Sequence, residues 1–180
     1  MEDLLKEFCY CPKCGSPRFS TIDIRAKKCN DCGFVYYKNA AAAVAAIYFN
    51  EKGELLMTRR AFNPACGKLD LPGGFVEFEE TAECALQREI KEELGVNIVN
   101  SKYLFSAPNR YLFADYTVFT LDLFYLVTFD SDEFRPHDDV ASVEFVDLHT
   151  LDINEVGLNS IKTAVLKVME LKSVVQPKPE

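Results

Sequence analysis

Apolar residues fall into two rhythms along the chain. From Ala40 to Phe49 the stretch "AAAAVAAIYF" is continuously apolar over the length of a strand, ends in the turn-like "NEKG" and is followed by "ELLMTRR". The two runs predict a pair of buried strands. "CGKLDLPGGFVEF" carries three glycines and a proline among a few apolar positions and reads as strand and loop. From Thr81 to Leu94 there is neither Gly nor Pro, and the residues are good helix formers. Thr81 suits the N-cap, Glu83 the first turn and Gly95 the C-cap. "VNIVNSKYLF", "YTVFTLDLFYLVTF" and "SVEFVDL" are strand-like, and "LNSIKTAVLKVMELK" closes the pattern as an amphipathic helix with Ile161, Val165, Val168 and Met169 at helical spacing. This order predicts a mixed sheet with one helix between its strands and another at the end. An α/β or α+β domain is expected over residues 38–172, with 1–37 as a separate module, 173–180 as a tail whose final "PKPE" is loose, and no internal repeat.

The first predicted helix carries its charges on the wrong face for a surface decoration. With Ala82 at zero and about 100° per residue, Leu86, Ile90 and Leu94 mark an apolar arc, and Glu93 at about 20° and Glu89 at about −20° fall inside it. A buried carboxylate without a partner costs several kcal/mol, so this face calls for a cation, a partner or a wet cleft. Arg88 reaches Glu92 across an i,i+4 step but points away from Glu93. Glu89, Glu92 and Glu93 are therefore expected to converge beside the helix and hold a hard divalent cation, with substrate phosphates completing its shell. A structural Arg–Glu network is the competing reading.

Composition narrows the options. The 180 residues are 48% hydrophobic and 27% charged, as in a globular protein, and the formal net charge is −8. That balance disfavours a general electrostatic grip on nucleic acid, and no nucleic-acid partner is expected. It permits phosphorylated substrates if metal ions stand between carboxylates and phosphates. No run reaches the roughly 18 to 20 apolar residues of a membrane span, and "MEDLLKEFCYCPKC" lacks the features of a signal peptide, so a cytoplasmic protein without membrane association is expected.

Four of the seven cysteines form a pattern: "CPKC" at Cys11–Cys14 and "CNDC" at Cys29–Cys32, fourteen residues apart. Two such knuckles suit a tetrahedral four-thiolate site, and Gly15 and Gly33 directly follow the second cysteine of each. About 37 residues with few apolar groups could hardly fold alone, so a structural Zn²⁺ held by Cys11, Cys14, Cys29 and Cys32 is expected to stabilise a small zinc ribbon. Redox disulfides are the competing reading, and Cys9 is an alternative to Cys11.

"GGFVEFEETAECALQREIKEELGV" resembles the Nudix signature G-x5-E-x7-R-E-U-x-E-E-x-G-U, with Gly74, Glu80, Arg88, Glu89, Ile90, Glu92, Glu93, Gly95 and Val96 at the fixed places. The resemblance implies an α/β/α sandwich around a mixed sheet. It further implies that Arg88, Glu89, Glu92 and Glu93 form the catalytic set. The three glutamates would bind Mg²⁺ or Mn²⁺, the Gly73 carbonyl would be a further ligand, Arg88 would orient the glutamates, and Glu80 would be structural or a helper. Family enzymes hydrolyse a nucleoside diphosphate linked to a moiety X by water attack on the pyrophosphate. At "EFEE" Glu79 stands where members commonly have a turn glycine, which predicts a different loop path. A four-cysteine ribbon before such a domain is similar to NADH pyrophosphatases, which suggests a homodimer. Their motif after the signature survives only as Ser106 and Pro108 of "SAPNRY". ADP-ribose and nucleotide sugars therefore stay beside NADH as substrates. The alternative is a non-catalytic Nudix nucleotide sensor whose ribbon contacts a partner. An isomerase on the same fold is disfavoured by the complete signature.

Other polar residues have two readings each. Asp122 in "FTLDLFYL" is most simply explained by an exposed sheet face, and more sharply by a strand face opening on the cleft. Arg59 and Arg60 end the second strand where a substrate phosphate would lie, or are surface arginines. Asn109, Arg110 and Tyr111 fall in the expected loop after the signature, where Tyr would stack on a base and Arg pair with phosphate. Asp138, Asp139 and Glu144 offer one acid to assist the attacking water, or form a solvated acidic loop with His137 on the surface.

Overall fold

The computed structural model describes residues 4–175, with side chains through 170. The chain divides into two compact units, Met1–Ala40 and Ala41–Glu180.

The first unit is a three-stranded antiparallel sheet in the order β1 (Phe19–Asp23), β2 (Ala26–Cys29), β3 (Val35–Tyr37). Its buried cluster is Cys11, Phe19 and Cys29, with Phe8, Phe34 and Tyr36 packed on it. So few apolar groups are a thin core, which makes the cysteines the natural staple. Tyr36 stacks against Phe8 with ring centroids 5.0 Å apart, and Tyr37 is exposed under the Arg25 guanidinium.

The second unit contains β4 (Ala41–Ile47), β5 (Leu55–Arg60), β6 (Leu69–Asp70), α1 (Ala82–Leu94), β7 (Ile98–Phe113), β8 (Tyr116–Phe129), β9 (Val140–Val146) and α2 (Asn159–Val175). One sheet has the order β4-β8-β7, with β4 parallel to β8 and β7 antiparallel to it. The other, β6-β5-β9, is antiparallel throughout.

The alternation of side chains along a strand builds the layers. On β4, Val44 and Ala46 join the cluster that contains Leu86, Ile90 and Leu94 of α1, while Ala45 and Ile47 join the cluster with Ile161, Val165 and Val168 of α2. On β5, Leu56 sides with the α1 cluster and Leu55 and Met57 with the other. Burial on both faces is why β4 and β5 carry nearly continuous apolar runs. The result is the expected α/β/α sandwich.

Two expectations change. "SAPNRY" is strand, not loop: β7 runs on to Phe113 and pairs with β8 through Asn109↔Thr120 and Phe113↔Tyr116. Pro108 falls on an edge strand, the place in a sheet where proline is tolerated because alternate N–H groups face away from the neighbouring strand. The hairpin turns on Ala114 and Asp115, both at positive φ (47° and 61°), as a two-residue turn of this hand requires. At the C-terminus α2 extends to Val175, into the expected tail, while "PKPE" lies outside the described residues.

Candidate active site

Helix α1 is punctuated as its sequence requires. The Thr81 side chain accepts from the Cys84 N–H at 3.2 Å, and Gly95 closes the helix at φ 74° with its N–H donating to Lys91 O. Its inward face carries Ala85, Leu86, Ile90, Glu93 and Leu94, so one carboxylate is buried among the aliphatic residues.

Arg88 ties the loop before α1 to the helix. Its Nε and Nη2 donate to the two Glu80 oxygens at 3.0 and 2.9 Å, Nη2 also to Phe75 O at 2.9 Å, and Nη1 to Glu89 at 2.8 Å and Glu92 at 3.2 Å. Glu80 also accepts from the Glu77 N–H. The facing Arg88 holds the Glu80 carboxyl below its usual range, and Glu80 foremost raises the guanidinium in turn. The fork-to-fork pair makes Glu80 the anchor that fixes the arginine.

Glu89 and Glu93 are held by glycines. A Cβ on Gly74 would sit 2.4 Å from the Glu89 carboxyl carbon, so only a residue without a side chain leaves that carboxylate its place. Gly73 adopts φ 143°, where a Cβ would fall 2.1 Å from Val44 O, and its N–H donates to Glu93 at 2.8 Å. Burial pushes the Glu93 carboxyl up to about 8, against the Gly73 N–H and with help from the charges of Glu89, Asp70 and Asp139. Burial also raises Glu89, outweighing Arg88.

The ligand oxygens of Glu89, Glu92 and Glu93 do not all lie within 4.8 Å of one another. Among the described residues the four cysteines are the only group of three or more such ligand atoms within 4.8 Å of one another. Arg88 draws Glu92 along the helix surface, and Gly73 draws Glu93 inward. The donor set nonetheless suits a hard divalent cation: oxygen ligands, a buried carboxylate surrounded by like charges, and a half-exposed Glu92 that Arg88 holds at 3.2 Å on the neighbouring turn.

Glu79 stands at φ 62°. At this dihedral the glutamate takes the left-handed conformation that a glycine would occupy at lower cost.

Beside Glu93 lies a cleft of about 150 Å³, lined among others by Phe75, Arg60, Asp70, Tyr111, Asp122 and Asp139. Arg60 is held in it by Asp70 and Pro64 O, both at 2.6 Å. Burial raises the Asp70 carboxyl more than Arg60 lowers it. Arg59, by contrast, is engaged by Glu144 at 2.7 Å, Gly67 O and Glu155. Strand alternation divides the post-signature trio: Asn109 and Tyr111 face the cleft, and Arg110 is exposed on the opposite face. Asp122 is 6% exposed and lines the cleft, which overturns its exposed-face reading; it is the flanking Leu121 that is 45% exposed. His137 is exposed, while its backbone N–H donates to Glu93 O and thereby places Asp138 and Asp139 beside the glutamates.

Sequence reasoning missed Asp70, Thr120 and Phe75. Thr120 and Asp122 are two apart in a strand, so they share a face, and that signal was available.

In the first unit, Cys11 and Cys32 sulfurs lie 3.7 Å apart and those of Cys14 and Cys29 3.6 Å apart. Metal–sulfur bonds of about 2.3 Å in a tetrahedron give edges of about 3.8 Å, so the spacing fits a single ion. The knuckles close alike: Gly15 N–H donates to Cys11 O and Gly33 N–H to Cys29 O, both glycines at φ 73°. Cys9 stands outside this group and is exposed.

Comparison with known proteins agrees with this picture. The NAD-capped RNA hydrolase NudC of Haemophilus influenzae (strain PittGG) is 35% identical over 106 residues, 58% of this chain. The match spans only 40% of that protein's length. An ADP-ribose pyrophosphatase of Methanocaldococcus jannaschii is 34% identical over 117 residues, 64% of this chain and 66% of the relative. In fold, a NUDIX hydrolase from Nitrosomonas europaea superposes with a TM-score of 0.68 at 24% identity, covering 93% of this chain and 94% of the other. The NUDIX domain model matches residues 39–167, the span that holds the sandwich, the arginine-tied glutamates and the cleft, and on that match the chain is a member of the Nudix family.

Proposed function

We propose that the protein is a divalent-metal-dependent pyrophosphohydrolase that cleaves a nucleoside diphosphate linked to a moiety X. The observation that carries this reading is the buried Glu93, raised to about 8 and seated on the Gly73 N–H beside an acidic cleft, with Glu89 fixed next to it by Arg88. A carboxylate in that setting is costly to ionise without a cation and well suited to holding one. Glu89, Glu92 and Glu93 would hold Mg²⁺ or Mn²⁺, with the Gly73 carbonyl as a further ligand. When bound, the ion neutralises charge on the pyrophosphate and lowers the pKa of water.

The chain's own residues do the rest. Arg88 orients Glu89 and Glu92, Arg60 meets a phosphate oxygen at the cleft wall, and Asp139 accepts the water proton. Tyr111 and Asn109 contact the non-phosphate end. The four cysteines hold a structural Zn²⁺ in the ribbon. The relatives' names point to ADP-ribose and NAD-capped RNA as the compounds to try.

The test is product analysis with purified protein and Mg²⁺ or Mn²⁺ against ADP-ribose, NADH, NAD, nucleotide sugars, nucleoside triphosphates and NAD-capped RNA. Turnover of one class to two phosphorylated products, abolished by a chelator of divalent ions, is expected. Tight binding without turnover would instead support the sensor.

A further inference from the structure

The floor of the cleft offers more hydrogen-bond acceptors than the chain satisfies. Asn109 is 6% exposed, and its Oδ1 is buried with no partner. Thr120 lies directly across from it in the β7–β8 register, and Asp122 follows two residues along β8 on the same face. The Thr120 hydroxyl gives its proton to Asp122 Oδ1, so the pair faces the cleft as acceptors. The register partners of Asp122 on both neighbouring strands are Ala43 and Ala107, whose methyl groups leave the carboxylate open to the cleft. Diagonal cross-strand positions are about 7–8 Å apart, which leaves room for a small group hydrogen-bonded to both side chains between them. An unmatched buried acceptor is costly, which makes this floor a site that gains by receiving a donor.

A phosphate does not fit there. The floor presents the Asp122 carboxylate and the Asn109 and Thr120 oxygens as acceptors, while Arg60 stands at the cleft wall, paired with Asp70. A planar –NH₂ does fit: it is uncharged, small, and has two hydrogens for two acceptors. Phe75 and Tyr111 lie in the wall where the ring bearing it would rest.

We propose that Asn109 Oδ1 and Asp122 form an amino-group subsite that selects a planar –NH₂ at the non-phosphate end of the substrate, either the 6-amino group of a purine or the carboxamide of a pyridine ring. The placement of phosphates at the glutamates rests on the hydrolase reading, but the subsite acts on nucleosides alone.

Binding of nucleosides to the full chain, followed by NMR, therefore tests it without turnover. Adenosine is compared with inosine, and nicotinamide riboside with nicotinic acid riboside; each second compound replaces the –NH₂ by oxygen. The wild type is expected to prefer the amino member of one pair by about 10- to 100-fold, and that pair identifies the source. Asp122→Asn keeps an oxygen for the Thr120 proton but turns an N–H toward the ligand, and is expected to cut the preference at least tenfold. If that variant does not fold, Asn109→Leu removes the second acceptor at similar volume and is expected to do the same. Flat preferences in both pairs, or equal weakening of both members in the variants, overturn the subsite. Parallel kcat/KM measurements on ADP-ribose and its hypoxanthine analogue separate the two claims. Absent turnover with the nucleoside preference intact overturns only the hydrolase reading, and turnover with flat preferences overturns only the subsite.

Discussion

Gly74→Ala and Gly73→Ala place the same methyl on adjacent residues and are expected to fail in different ways. At Gly74 the new Cβ falls 2.4–2.5 Å from the Glu89 carboxyl group, the far end of a flexible side chain that can swing aside. The fold then loses the 2.8 Å Arg88–Glu89 bond, while Arg88 keeps Glu80, Glu92 and Phe75 O. A charged hydrogen bond contributes about 1.5–3 kcal/mol, and replacing Gly by Ala returns about 0.4–1 kcal/mol of chain entropy where the backbone allows it. The net loss is about 1–2 kcal/mol, which for a domain of this size lowers Tm by about 2–8 °C. Hydrolysis loses a positioned ligand and is expected to fall at least about 100-fold. At Gly73 the methyl meets the Val44 carbonyl, which is backbone, at 2.1 Å and at a φ only glycine adopts readily. That change is expected to cost more than about 4 kcal/mol and leave little folded protein. Thermal unfolding and kcat/KM on the same preparations decide the matter. Gly74→Ala protein with undiminished turnover, or as unstable as Gly73→Ala, would refute the reasoning.

Other expectations follow from single contacts. Burial keeps Glu93 protonated to about pH 8, where the unfolded chain has already released that proton, so ion-free stability falls as pH rises from about 4.5 to about 8. A divalent cation displaces the proton, so the Tm gain from Mg²⁺ grows through that window and levels off above it, as a pH series of melts can show. Arg88→Lys keeps the charge but loses the paired bonds to Glu80, and kcat/KM is expected to fall about 100-fold with a Tm loss of a few degrees. Glu79→Gly relieves a left-handed glutamate and is expected to add about 1 kcal/mol in denaturant unfolding with unchanged turnover. Elemental analysis is expected to find one zinc per chain, and its removal by a strong chelator to collapse the NMR signals of residues 4–40.

Much of this arrangement was legible in the sequence because period and punctuation agree in it. Thr81 and Gly95 bracket α1, and the helical wheel already placed Glu93 among the leucines. What it obscured has local causes. The β7–β8 turn uses Ala114 and Asp115 at positive φ in place of the Asn-Gly pair that signals such a turn, so the strand beyond Phe105 read as a loop. That error hid the alternation that separates Arg110 from Asn109 and Tyr111. Asp122 had two readings, an exposed sheet face or a face on the cleft, and its burial and its pairing with Ala43 and Ala107 decide for the cleft. The glutamates' actual partners depend on Arg88 and Gly73, which lie apart in sequence from one another.

The most direct test of the central claim is Glu93→Gln, measured for both stability and turnover at pH 8. The substituted side chain retains an oxygen for the Gly73 N–H and removes the charge that burial disfavours, so the ion-free protein is expected to melt at the same temperature or higher. Mg²⁺-dependent hydrolysis is expected to fall by about 1,000-fold or more. A variant that hydrolyses like the wild type, or one whose activity falls only in step with lost folding, would contradict the assignment of Glu93 as the carboxylate that holds the ion.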